Sequence, residues 1–174
     1  MIQTLFRQIG LLILLLAMQV LVFNHIHICG YATPMICVYF LLIMPLSTAR
    51  WAKLFWGFGI GLVQDMFANT PGMMAATLTF VALVQPRLLT LTGGIDEEDE
   101  KEEDTTPSIA KLGVFPFLRY AFCGVLLQCI LFYLLETFSF FSISDTLINI
   151  SGSTAFSLLI IWLIESIRSN SMRK

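Results

Sequence analysis

Of the 174 residues, 57% are hydrophobic and 13% charged, and the mean hydropathy is +0.82, whereas soluble domains run at about half apolar and about a quarter charged. That balance excludes an ordinary water-soluble domain, because several apolar runs reach the roughly 20 residues a helix needs to cross a bilayer core of about 30 Å. The net charge of −2 averages an acidic segment with basic helix ends, and no basic face suited to nucleic acid is present.

Residues 1–8 carry Arg7 as their only charge, and 9–23 are apolar apart from Gly10 and Gln19. This start resembles a signal peptide, but 24–30 lack a small-x-small cleavage site and further apolar runs follow. A first spanning helix is predicted over 5–28. Gly30-Tyr31-Ala32-Thr33-Pro34 reads as a turn, with Pro34 suited to the first position of a helix. A second span is placed at 33–46, where Pro45 ends or kinks it. A run this short fits a tilted, broken or partly re-entrant segment.

The third span, 51–67, carries the most informative spacing in the chain. Gly57, Gly61 and Asp65 are each four residues apart, so on a helix they share one face, drifting about 40° per step. Glycines at i and i+4 let a second backbone come close. Asp65 is the only carboxylate in that apolar segment, and such a group is turned inward in a membrane. Asn69-Thr70-Pro71-Gly72 closes the span. Thr70 is read as the N-cap and Pro71 as the first helical residue of the fourth span, 71–91.

Residues 93–112 break the pattern, and 96–104 hold eight acids and one lysine. Like charges at that density repel, so a solvated cytoplasmic loop is expected, with docking of a basic partner as its sharper reading. The fifth span covers 113–138, with Arg119 near its start and Gln128 and Glu136 further along. The sixth covers 145–167, where Asn149, Ser153 and Ser157 form a small polar face read as a helix contact. Gln19, Gln64 and Gln128 are expected to hydrogen-bond across helices. With six spans, all ten Lys and Arg fall on one side of the membrane, which the positive-inside rule makes the cytoplasm, along with both termini.

Chemistry-bearing residues are sparse. Asp65 is either a coupling or binding carboxylate near the outer face or a group held by the turn and a neighbouring helix. Glu136 and Asp145 read as interfacial, or with Asp65 as an outward acidic cluster. His25 and His27 make a poor metal pair, since i and i+2 share a side only on a strand and no third ligand is near in sequence. Cys29, Cys37, Cys123 and Cys129 read as small packing residues, with a Cys29–Cys37 disulfide as the alternative. Asn149-Ile150-Ser151 fits a glycosylation sequon but lies inside a span. No catalytic, cofactor or metal motif is present; Gly57-x-Gly59-x-Gly61 neither follows a strand nor opens a soluble nucleotide-binding unit.

The stretch 17–26, then Gly30-Tyr31-Ala32-Thr33-Pro34, then Gly61-Leu62-Val63-Gln64-Asp65-Met66-Phe67-Ala68-Asn69-Thr70-Pro71-Gly72-Met73 resembles the rod shape-determining MreD family, in the form seen in Bacteroidetes. The resemblance is best over about residues 10–90, and the acidic run matches none of its motifs. It implies an all-α polytopic inner-membrane protein of six transmembrane helices, similar to the substrate-binding subunits of energy-coupling factor transporters. It also implies a non-enzymatic part of the cell-wall elongation complex, with MreC as partner and MreB, RodA and the elongation transpeptidase in reach. Gln19, Gly57, Gly61, Gln64, Asp65, Pro71 and Gly72 are the expected helix-packing and partner-binding positions. A membrane-embedded small-ligand-binding subunit of a transporter, with Asp65, Gln64 and Asn69 at an outward pocket, is the second expectation.

Overall fold

A computed structural model describes residues 2–20, 34–93, 106–136 and 143–172. The elements are α1 (Ile2–Met18), α2 (Val38–Leu42), α3 (Arg50–Ala68), α4 (Met73–Leu91), α5 (Ile109–Leu112), α6 (Val114–Glu136) and α7 (Ile143–Met172). Among the described residues there is no strand. Three helical stretches among them are long and apolar enough to cross a membrane: Met73–Leu91, Val114–Glu136 and Thr146–Arg168. The helix α3 is as long as α4, but Arg50, Lys53 and Asp65 lower its hydropathy. His25, His27, Cys29 and the acidic run lie outside the described residues.

The expected second span is not a continuous helix. Only Val38–Leu42 is α-helical, about 7.5 Å of rise against a bilayer core of about 30 Å. Pro34 does not open this helix; it lies four residues ahead of it, in irregular chain. Every residue from 34 to 44 is nevertheless buried. The segment is therefore threaded through the middle of the molecule, in contact with α1, α3, α4 and α6.

Its direction follows from its partners. Met35 sits at Ser157, Tyr39 at Glu165 and Met44 at Gln85, so the segment runs parallel to α4 and α7. Tyr120 meets Leu42 and Gln128 meets Thr77, so α6 runs the opposite way. Arg50, Lys53, Arg87, Lys111, Arg119 and Arg168 consequently lie towards one end, called here the basic end.

The most extensive helix pair is α3 with α4. A Cβ built on Gly57 would lie 2.9 Å from the Leu78 carbonyl and 3.2 Å from the Ala82 Cβ. One built on Gly61 would meet the backbone of Met74 and Ala75, 2.5 Å from the Ala75 nitrogen. The glycine face is thus closed against α4 of the same chain, where Ala75 and Ala82 present small side chains in return. A partner helix would find it already covered. Gly124 does the same for α6, since its Cβ would stand 2.6 Å from Leu42 Cδ2.

This geometry separates the glycines of α3. Gly61→Leu must push two backbones apart and should cost about 1–3 kcal/mol or more, visible as a lower melting temperature of the purified chain in detergent. Gly59, with nothing within 4 Å of its would-be Cβ, should tolerate alanine with no loss.

Candidate functional site: a buried polar framework

An irregular chain segment inside a membrane bundle carries backbone groups that no helix satisfies, and each left unpaired costs several kcal/mol in hydrocarbon. Side chains from the surrounding elements meet that demand around 34–46. Gln19 Nε2 donates to the Pro34 carbonyl at 2.8 Å, and its Oε1 accepts from Ile36 N at 2.9 Å. Met35 N donates to Ser157 Oγ at 2.8 Å. Tyr120 Oη donates to the Leu42 carbonyl at 3.0 Å, and Gln85 Nε2 donates to the Met44 carbonyl at 3.2 Å. Lys53, itself only 3% exposed, reaches the Leu46 carbonyl at 3.5 Å. Polar residues scattered over α3, α4, α6, α7 and the end of α1 thus converge on one strip of backbone.

The same framework ends in two carboxylates. Asp65 is 6% exposed. Its Oδ1 accepts from Thr70 Oγ1 at 2.8 Å and Met74 N at 2.9 Å, and its Oδ2 accepts from Ala75 N at 2.9 Å. Met74 and Ala75 are in the first turn of α4, where amide hydrogens have no helical partner and the helix dipole favours negative charge. Asp65 therefore caps α4 from the preceding helix. The expected cap at Thr70 is corrected: α4 starts at Met73, after Gly72, and Thr70 donates to Asp65 instead. Pro71 lies in the turn and not in the helix. The turn needs two left-handed residues, supplied by Asn69 at φ 55° and Gly72 at φ 80°.

At the basic end, Glu165 is fully buried. Tyr39 Oη donates to its Oε2, Arg168 Nη1 approaches the same oxygen at 3.2 Å, and Ile109 N donates to Oε1 at 3.1 Å. One carboxylate thereby joins the threaded segment, α5 and α7. Its ion pair with Arg168 lies within one helix, at i and i+3.

The remaining expected positions are placed as follows. Gln128 Nε2 donates to Thr77 Oγ1 at 3.0 Å, joining α6 to α4. Gln64 is buried, and its Nε2 finds no hydrogen-bond partner among the described residues. Ser153 and Tyr133 share a 2.8 Å hydrogen bond between α7 and α6. Cys37 and Cys129 are buried free thiols, and Cys123 is half-buried and free. Glu136 is exposed and is not among the groups that hold Asp65. Among the described residues no group of three His, Cys, Asp or Glu is placed to hold a metal.

Nothing in spacing or motif marks Tyr39, Gln85, Tyr120 and Glu165 as members of this framework. The available signal was the excess of amides and hydroxyls in apolar runs beside one run too short to be a spanning helix.

Grooves mark the outer surface among the described residues. Between α6 and α7, a cavity of about 510 Å³ is lined by Phe115, Leu118, Phe122, Leu158, Trp162 and neighbours. Between α3 and α4, a cavity of about 340 Å³ opens at the basic end. Comparison with known proteins finds no matching family model, no matching curated protein and no matching solved structure.

Substitutions at two positions test the framework. Asp65→Ala removes the acceptors of two buried amides, each orphan costing about 1–3 kcal/mol, so thermal unfolding in detergent should show a large drop, with Asp65→Asn intermediate. Gln19→Leu, close in volume, should destabilise by a similar amount by orphaning Pro34 O and Ile36 N. A melting temperature unchanged in Gln19→Leu would show that the threaded segment does not need this support.

Proposed function

We propose that this chain is a non-enzymatic, multi-pass scaffold of the bacterial inner membrane, acting in the cell-wall elongation complex like the MreD family it resembles. In this reading the chain crosses the membrane six times, with the threaded segment 34–46 as part of the second crossing. Both termini and the basic end are cytoplasmic. MreC is the direct partner, and MreB, RodA and the elongation transpeptidase are reached through it or beside it.

One observation carries the reading. Gln19, Asp65, Gln85, Tyr120, Ser157 and Glu165, all buried, are directed at the chain's own backbone and helix ends. Such an interior is suited to holding a fixed shape, and recognition is then left to the outer faces. The transporter-subunit reading needs Asp65 available to a solute, yet both of its oxygens are already held by Thr70, Met74 and Ala75.

With Gly57 and Gly61 covered by α4, the partner face is assigned to the α6–α7 groove. Large apolar side chains are exposed there, including Phe115, Phe122 and Trp162. A transmembrane helix of MreC would pack its side chains between them.

Co-purification from native membranes separates the two surfaces. Phe122→Ala with Trp162→Ala should lower MreC recovery about tenfold or more, as expected for aromatic anchors at an interface centre, while insertion and melting temperature stay close to the parent. Unchanged recovery would remove the groove from the interface. Absence of MreC from parent pull-downs would overturn the functional assignment.

A further inference from the structure

We propose that the groove between the start of α3 and the end of α4 binds the headgroup of an anionic phospholipid. This rests on the helices lying in a bilayer and is independent of any protein partner. The groove is lined by Arg50, Lys53 and Arg87 together with Leu54, Phe80 and Leu83, and among the described residues no carboxylate lines it. The cations sit at the basic end of the two helices, and the apolar residues continue towards the middle of the span. That is the amphipathic order of a phospholipid, phosphate first and acyl chain below. Basic pockets between transmembrane helices are suited to such headgroups.

A second feature points the same way. Arg50 and Lys53 occupy the first turn of α3, where the positive end of the helix dipole disfavours cations. The residue preceding that turn, Ala49, has no side chain able to cap it, and no side-chain cap is present. An anion lying between Arg50 and Arg87 would be attracted by both guanidinium groups and by the open helix end. Lys53 is buried in the lining of the same groove. Arg50 and Arg87 are exposed and so free to close on a phosphate.

The test uses the full chain in neutral detergent, titrated with phosphatidylglycerol, phosphatidylcholine or inorganic phosphate, with melting temperature as readout. Phosphatidylglycerol should stabilise, whereas phosphatidylcholine and inorganic phosphate should not. Arg50→Ala with Arg87→Ala should weaken the apparent affinity roughly 30-fold, about fivefold for each arginine near an anionic surface, and leave the unliganded melting temperature unchanged. Arg50→Lys with Arg87→Lys should retain most of the response. Equal stabilisation by phosphatidylcholine, stabilisation by inorganic phosphate alone, or an undiminished response in the alanine variant would each overturn the proposal. Should the alanine variant fail to fold, salt decides on the parent protein. Between about 0.1 M and about 1 M the Debye length falls from about 10 Å to about 3 Å, so binding must weaken, and salt-independent binding overturns the site.

Discussion

The constraint from which most of this architecture follows is the need to satisfy backbone groups in a buried, mostly non-helical segment. Residues 34–46 run through the middle of the bundle with only five residues in helix. In hydrocarbon, free carbonyls and amides are tolerated only when other protein groups meet them. Gln19, Ser157, Tyr120, Gln85 and Lys53 each supply one or two of those hydrogen bonds. Polar residues that look out of place within apolar spans thus have a common destination. Packing supports the same segment: Gly124 makes room for Leu42, and Phe40 lies against Trp56 with ring centroids 6.0 Å apart.

The two buried carboxylates extend this logic to the ends of the helices. Asp65 meets amides at the start of α4 that the α-helical pattern leaves unpaired, so the turn 69–72 and the α3–α4 hairpin are held as one unit. Glu165 does comparable work at the other end, where Ile109 N, Tyr39 Oη and Arg168 converge. A buried charge is costly unless several donors surround it, and both carboxylates have at least three. Such groups are therefore poorly placed to exchange ligands, which favours a fixed framework over a solute site.

The outer surface has a different composition from the interior. Large aromatic and aliphatic side chains on α3, α6 and α7 face outward. The two grooves differ in chemistry. The α6–α7 groove is apolar with a single arginine, Arg119, among its lining residues, whereas the α3–α4 groove sets three cations above apolar side chains.

Hydropathy and helical periodicity alone determined that the chain is helical and apolar enough for membrane crossings, where α3, α4, α6 and α7 lie, and that the 57–65 face permits close approach. These are local properties, set by run length and four-residue spacing. The sequence also marked Asp65 as a group needing partners, because an isolated acid in an apolar run cannot be left bare. Which partners it has was decided by tertiary structure: the left-handed residues Asn69 and Gly72 fold the turn so that Asp65, and not Thr70, caps α4's first amides, while Thr70 donates to Asp65. The glycine face likewise gave no indication of whether it met a partner or its own neighbour, since spacing specifies how close a backbone can come and not which one. Above all, residues 34–46 read as a short span, yet only the surrounding side chains, remote in sequence from it and from one another, make a threaded non-helical course affordable.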